Sequence, residues 1–170
     1  TPPHSLPLPK FCVDPGPYRK PAAKGSRPFS PAVNLYFGLE AALDMMQKEG
    51  LAAIISRHAR HRTAAQAGME AIGLPLFAAK GHGSPAITAV APEGLDAELL
   101  RKTVKEKFDI LLAGGQDHLK GKVFRIGHLG YVCDRDVLTA VSAIEATLQS
   151  LGLHKGTMGS GVAATSAALS

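Results

Sequence analysis

The segment "KVFRIG", residues 122–127, limits the folds open to this chain because it places an arginine inside an apolar strand pattern. Side chains alternate between the two faces of a strand, so Phe124 and Ile126 point one way and Arg125 points the other. The backbone groups of a strand need partners, which predicts a sheet in this chain. Arginine is seldom buried alone, so Arg125 requires an anion or an open edge.

The pattern around Arg125 leaves three explanations open. An internal ion pair with a nearby acid such as Asp117 is one, and a position at the rim of the sheet, facing water, is another. The third is a clamp for a carboxylate or a phosphate, since the guanidinium fork matches both anions in a bidentate manner. Physical reasoning from the residues alone does not choose among them.

Hydrophobic spacing over the rest of the chain predicts alternating helices and short strands. Asp96 and Asp134 are expected to cap two of the helices, and glycines end several segments. The expected fold is a two-layer α/β (α+β) module in which helices pack on a short, mostly antiparallel sheet. The predicted helices cover about 33–49, 51–72, 97–108 and 134–151, and the predicted strands cover 74–78, 85–92, 110–115 and 122–127.

Composition divides the chain into three parts. Nine of the 12 prolines lie in residues 1–31, which disfavours regular helix there and predicts an extended, proline-rich arm or interdomain segment over residues 1–30. The folded domain is expected over residues 31–153. Residues 154–170 are small and weakly apolar, which predicts a flexible tail.

The net charge of +5 does not indicate nucleic-acid binding. The basic excess lies in the first 27 residues and at Lys155, and the rest of the chain carries equal numbers of acidic and basic residues. No basic stripe with interleaved aromatic residues follows the arm.

No apolar run approaches the roughly 20 residues that span a bilayer. No secretory-like sequence opens the chain, and its two cysteines lie far apart and fit no disulfide framework. The expected location is therefore intracellular and soluble, with cytoplasm, plastid and peroxisome all open.

Few residues suggest metal or acid-base chemistry on their own. His58 and His61 lie three positions apart, but the surrounding "RHARHR" favours a solvated helix face, so no metal site is predicted. Asp134 and Asp136 begin a predicted helix, where capping is the simpler role. Neither Cys12 nor Cys133 has a histidine placed to activate it, and they form no disulfide framework.

Two further histidines, His118 and His128, flank the Arg125 strand in sequence. They could line a site near Arg125, although a rim or core position is more common for such residues. The glycines of "KGHGS" are typical of a turn. No phosphate-binding loop is predicted there, because the motif GxxxxGK[ST] is missing.

Three stretches together resemble the C-terminal part of the class V aminotransferases, which have the PLP fold type I. They are "SRPFSPAVNLYFGLEAALDMMQKEGLAAIISRHARHR", "FDILLAGGQDHLKGK" and "KGKVFRIGHLGYVCDRDVLTAVSAIEATLQSLG". Within that group the chain is similar to serine-glyoxylate and alanine-glyoxylate aminotransferases and to the cyanobacterial soluble hydrogenase small subunit. The likeness extends from about Phe11 to the "GSGVAA" tail.

The resemblance implies roles for two residues. The arginine of the family's "RIG" motif holds the substrate carboxylate, which corresponds to Arg125. The hydroxyl of a "TP" or "SP" sequence contacts the phosphate of pyridoxal 5'-phosphate (PLP) in the partner subunit, which corresponds to Ser30. Arg27 stands where some relatives have a tyrosine.

The resemblance also implies PLP as cofactor, a small amino or keto acid as substrate, and a homodimer through the full-length chain. The expected parent activity moves an amino group from alanine or serine to glyoxylate or a similar keto acid. The lysine that binds PLP belongs to the family's N-terminal domain, so no catalytic residue is expected here and the chain alone should be inactive. The alternative is a non-catalytic, stand-alone domain that acts as a structural or interaction subunit of a larger assembly.

Overall fold

The computed structural model describes residues 16–170, which form two compact units divided between Lys48 and Glu49. The first unit contains helix α1 (Gly16–Ala22) and nearly all of helix α2 (Val33–Glu49). The proline-rich start was expected to lack regular helix, yet α1 contains Pro21 in its last turn and Pro17 in its first. Proline is tolerated in the first turn because those N–H groups have no partner within the helix. The rest of the predicted arm, residues 1–15, lies outside the described residues.

The second unit has the expected two-layer α/β arrangement. Its three antiparallel strands lie in the order β1-β3-β2, so the strand that carries Arg125 is central. The segment "LPLFA" was predicted as a strand but forms only a single bridge, between Leu76 and Val90. Pro75 has no N–H to donate, which shortens the pairing there. The elements are α3 (Leu51–Ala71), β1 (Ile87–Val90), α4 (Ala97–Phe108), β2 (Ala113–Gly114), a 3-10 turn (Asp117–Leu119), β3 (Phe124–Gly127), α5 (Asp134–Ser150) and α6 (Ser160–Leu169).

One face of the sheet and the inner faces of α3, α4 and α5 enclose the main core. Phe124 and Val90 are fully buried on that face. Burial of a large apolar side chain of this kind contributes about 1.5–3 kcal/mol. The helices contribute Met69 and Ile72 from α3, Leu100 and Val104 from α4, and Val141, Ile144 and Leu148 from α5.

Helix α4 begins and ends as its sequence predicts. The Asp96 carboxylate accepts a hydrogen bond from the Glu98 N–H at 2.8 Å, which caps the first turn. Asp109 ends the helix in the left-handed conformation.

Helix α5 begins differently from the prediction. Its N-cap is Cys133, and the Asp136 carboxylate accepts from the Cys133 N–H at 2.9 Å. The predicted capping role of Asp134 is therefore wrong. Asp134 is the first residue inside the helix, and its carboxylate turns towards α3 instead.

The C-terminal residues form a packed helix where a flexible tail was expected. Gly161 and Thr165 of α6 are buried, and the helix packs against α3 and α5. Its first turn is bound by the buried carboxylate of Glu145, which accepts from the Gly159 N–H at 2.9 Å. The expectation of a mobile tail is therefore corrected. The small residues of α6 let it pack closely against α3 and α5, and a hydrophobic pattern does not reveal packing of this kind.

Candidate functional site

Arg125 lies at the centre of the sheet on the face opposite the main core. Its cross-strand neighbours are Ala89 on β1 and Ala113 on β2. Directly paired residues of antiparallel strands project to the same face, so the Arg125 side chain leaves the sheet between two methyl groups. Both neighbours are short, and the Arg125 residue is partly buried.

The Arg125 guanidinium is held by one hydrogen bond, from Nε to the backbone oxygen of Gly114 at 3.0 Å. No ion pair joins it to any carboxylate within residues 16–170, so the predicted alternative of a pair with Asp117 is not formed. A cation on a sheet of small, apolar neighbours with its two terminal nitrogens unbonded to described residues can bind an anion in a bidentate manner.

The glycine pair before the turn is explained by close contacts. A Cβ at Gly114 would lie 2.5 Å from Nη1 of Arg101, and a Cβ at Gly115 would collide with the backbone oxygen of Leu119. At Gly115 the obstacle is backbone, so no side chain fits there, whereas a side chain at Gly114 would displace the ends of Arg101 and Glu98. Reasoning from the sequence missed Gly114 as the partner of Arg125 and Arg101 as the residue packed against Gly114, and the glycine pair was the only signal.

The two histidines that flank the Arg125 strand do not share one environment. His128 is fully buried, its Nε2 lies 2.9 Å from Oγ1 of Thr88, and burial lowers the pKa of its imidazole. Its Nδ1 has no partner in the described part of the chain. His118, in contrast, is exposed in the 3-10 turn. His128 is thus a core residue on the face opposite Arg125.

The "RHARHR" run was predicted to face outward, and this prediction is wrong for His61. His61 is fully buried and lies 2.8 Å from Asp134. Arg57 binds Glu49 in a bidentate ion pair and donates to the backbone oxygens of Gly130 and Val132. Within the described range no three of the metal-ligating side chains come together in a way that could hold a metal ion. The run fixes the loop after β3 and the start of α5.

Ser30 lies three residues before α2 and is exposed. It belongs to the first unit, whereas Arg125 belongs to the second. Each residue is therefore a candidate by itself, Ser30 as a hydroxyl that can bind an anion's oxygen and Arg125 as a cation.

Every lysine in the described range is exposed. A lysine that holds PLP as a Schiff base needs a sheltered amine with a lowered pKa. The described residues thus offer an arginine and a hydroxyl that can bind anions, but their lysines do not fit the covalent attachment of PLP. In addition, no helix that the structure describes is long and apolar enough to cross a membrane.

Comparison with known proteins places this fold among the aminotransferases. The structure matches pyridoxamine-pyruvate aminotransferase from Mesorhizobium loti with a TM-score of 0.78 at 33% identity, over 84% of this chain and 37% of that one. It also matches alanine-glyoxylate aminotransferase from Nostoc sp. with a TM-score of 0.70 at 30% identity, over 74% of this chain and 34% of that one. The fold is that of part of a PLP fold type I aminotransferase.

Curated relatives agree with the structural matches. The chain is 61% identical over 163 residues to the soluble hydrogenase small subunit of Synechococcus sp.. It is 39% identical over 141 residues to serine-glyoxylate aminotransferase of Arabidopsis thaliana. These matches cover 96% and 82% of this chain but only 42% and 35% of the two relatives. No protein-family model matches the chain.

The chain is a homologue of the class V aminotransferases and of the cyanobacterial soluble hydrogenase small subunit, which confirms the resemblance seen in the sequence. It spans about two fifths of the length of these relatives and matches their C-terminal part.

Proposed function

We propose that this chain is the substrate-carboxylate-binding domain of a PLP-dependent aminotransferase, with Arg125 as the carboxylate clamp. The supporting observation is a central-strand arginine between two alanines, with no described acid to neutralise it. An amino or keto acid brings its own carboxylate, so substrate binding completes the charge balance at this position. Alanine or serine as amino donor, and glyoxylate or a similar keto acid as acceptor, all carry that group.

The clamp orients the substrate and takes no part in proton transfer. Two parallel hydrogen bonds fix both the position and the plane of the carboxylate, so the α-carbon of the substrate has a defined direction. PLP supplies the electron sink of transamination when it is bound. In this proposal the amine that holds PLP comes from a segment corresponding to the part of the relatives that this chain does not match.

Ser30 has a proposed role at the cofactor phosphate of a neighbouring subunit in a homodimer. Its exposed hydroxyl next to Pro31 and close to the start of α2 is consistent with an intermolecular contact. A Ser30→Ala variant of the full-length protein should bind PLP more weakly, whereas Ser26→Ala, another exposed serine of the same segment, should not. Equal PLP affinities in the two variants would remove Ser30 from the site.

The clamp is tested with Arg125→Ala in the full-length protein that carries these residues. The KM for the amino or keto acid should rise on the order of 100-fold, since two charge-assisted hydrogen bonds are lost. Arg125→Lys keeps the positive charge but loses the bidentate fork, so its KM should lie between that of the parent protein and that of Arg125→Ala. Circular dichroism should show an unchanged fold. An unchanged KM in Arg125→Ala would reject the clamp.

A second candidate function is that of a non-catalytic interaction subunit. It is favoured by α2, in which no residue is buried and several large apolar side chains are exposed. The intact mass of the natural polypeptide separates the two candidates. A product more than twice the size of this chain, with alanine- or serine-glyoxylate aminotransferase activity, supports the first candidate, and an inactive product of about 170 residues supports the second.

A further inference from the structure

Two arginines hold the short edge strand β2 from opposite sides. Arg101 on α4 donates from Nε to the backbone oxygen of Leu112 at 2.7 Å, and Arg125 on β3 donates from Nε to the backbone oxygen of Gly114 at 3.0 Å. Strand β2 has only two residues and pairs with β3 alone. The ladder to β3 is short, and the Gly115 N–H, in the same peptide unit as the Gly114 carbonyl, donates to the Val123 oxygen at 2.8 Å. The two guanidinium contacts add to these bonds at the backbone oxygens of Leu112 and Gly114.

Arg101 is itself fixed in place. Its Nη1 donates to the carboxylate of Glu98 at 2.6 Å, and about three quarters of its side chain is buried. Charge-assisted hydrogen bonds of this kind are short and strong. Both residues lie on α4, which the buried side chains of Leu100 and Val104 attach to the core. The Arg101 guanidinium is therefore a rigid support for β2.

Gly114 contacts both arginines: its carbonyl accepts from Arg125, and its Cα lies against the side chain of Arg101. A Cβ there would lie 2.5 Å from Arg101 Nη1 and 2.8 Å from Glu98 Oε1. The absence of a side chain lets the Arg101–Glu98 pair lie directly against the strand. A shift of the Arg101–Glu98 pair would therefore be felt at the residue whose carbonyl accepts from Nε of Arg125.

We propose that Arg101, oriented by Glu98, is a positioning residue for Arg125. It holds β2 in the position where the Gly114 carbonyl accepts the hydrogen bond from Nε of Arg125. The two Nη nitrogens of Arg125 then remain to bind the carboxylate of an amino or keto acid end-on. This proposal rests on the clamp role of Arg125. It adds a geometry of binding and a supporting residue that does not touch the substrate.

The first experiment measures the Arg125 contact without any enzyme activity. In the 170-residue chain labelled with nitrogen-15, the Nε–H signal of Arg125 is followed for its shift and its exchange with water. The hydrogen bond to Gly114 should protect this proton in the parent chain. Arg101→Met and Gly114→Ala should each make the exchange on the order of 10-fold faster, the equivalent of one charge-assisted hydrogen bond. Lys102→Met, an exposed neighbour on the same helix, is the matched control and should leave the exchange unchanged.

The second experiment reads the consequence for the substrate. In the full-length protein, Arg101→Lys keeps a cation beside Glu98 but loses the Nε donor to Leu112. It should raise KM about tenfold with kcat nearly unchanged, because one positioning hydrogen bond is lost. Lys102→Met should change neither constant.

The outcomes separate this proposal from the clamp itself. If Arg125→Ala raises KM but Arg101→Lys does not, the clamp stands and the positioning role is overturned. If Arg125→Ala leaves KM unchanged, the clamp fails, and faster Nε–H exchange in Arg101→Met would then establish only the contact, so substrate positioning is rejected. Unchanged exchange in both Arg101→Met and Gly114→Ala overturns the proposal irrespective of activity.

Discussion

The imidazole of His61, fully buried on α3, lies 2.8 Å from the carboxylate of Asp134 at the start of α5. The other oxygen of that carboxylate accepts from Arg60 at 2.8 Å. Arg60 and then His61 lower the pKa of Asp134 by hydrogen bonding to its charged form. This cluster joins two helices whose contacting residues lie 73 positions apart in sequence. It therefore contributes to the placement of the chain that follows the Arg125 strand.

The Asp134 cluster should make stability depend on acid pH. The carboxylate has a lowered pKa in the folded chain, so its contribution is present above the ordinary aspartate pKa of about 3.9 and is lost as the pH falls through the lower folded value. Asp134→Asn should unfold with a smaller pH dependence between pH 7 and pH 3 than the parent chain. Because the carboxylate is nearly half exposed, the difference should stay below about 1 kcal/mol. Urea unfolding at each pH measures it.

Two variants refine the Asp134 test. Asp134→Ala should cost about 1–3 kcal/mol at pH 7, since it also removes the acceptor for the buried His61 ring. Glu106→Gln, at an exposed position of α4, is the control and should keep the parent pH dependence. Glu49 and Asp136 also have lowered pKa values, so the informative quantity is the difference from the parent curve. A parallel curve for Asp134→Asn would contradict the assignment.

Helices α2 to α5 and the three strands could be predicted because their signals are local, whereas α1 and α6 were not predicted. Asp96 and Leu100 specify the start of α4 within five residues, and the inward face of α5 repeats at helical spacing. The burial of His61 could not be predicted, because its partner is the carboxylate of Asp134, 73 positions along the chain. A sequence of "RHARHR" carries the same charge whether one histidine is solvated or enclosed.

The candidate site, too, could be predicted only where its signal is local. Arg125 could be singled out from the sequence because a cation inside an apolar alternation is a local conflict. Its support could not, since Arg101 reaches β2 through the backbone oxygen of Leu112, and any residue type provides such an oxygen. The packing of α6 was missed for a related reason: its close approach relies on glycine and threonine, which have little hydrophobic signal.

The buried carboxylate of Glu145 should hold α6 in place. Its Oε1 accepts from the N–H groups of Gly159 and Gly161 at 2.9 and 3.3 Å and lies 3.2 Å from Nε2 of His154. Glu145→Ala should cost about 1–3 kcal/mol, because buried N–H donors are left without their acceptor. Hydrogen exchange should show the amides of α6 losing protection before those of α4.

The matched control for Glu145 is Gln149→Ala, an exposed position one turn further along α5. It should leave both stability and the exchange of α6 unchanged. Glu145→Gln keeps one acceptor oxygen and should fall between the two variants. Protection of α6 that persists in Glu145→Ala would show that apolar packing alone holds the helix.

Close packing between α3 and α6 should make Gly68 intolerant of a methyl group. A Cβ there would collide with Oγ1 of the buried Thr165 and lie 3.0 Å from Cγ1 of Val141. Gly68→Ala should destabilise the chain by about 1–3 kcal/mol, the usual cost of overpacking. The control is Gly38→Ala in α2, where a Cβ meets nothing within 4 Å and helix propensity favours alanine.

A double-mutant cycle identifies the partner of Gly68. If Thr165 Oγ1 is the obstacle, Gly68→Ala should cost less in a Thr165→Ala background than in the parent, and thermal unfolding gives the difference. An equal cost in both backgrounds would place the strain at Val141 instead.

The exposed apolar face of α2 should make the 170-residue chain self-associate or bind a hydrophobic dye. Leu39 and Leu43 lie one turn apart and are 54% and 46% exposed. A contiguous apolar surface of this kind is typical of an interaction site. Replacing both leucines with glutamine should reduce association in sedimentation velocity and lower dye fluorescence. Glu40→Gln with Asp44→Asn, at neighbouring exposed positions of the same helix, removes two charges and is the control, which should associate at least as strongly as the parent. A parent chain that stays monomeric at high concentration and binds no dye would show that this face needs no partner.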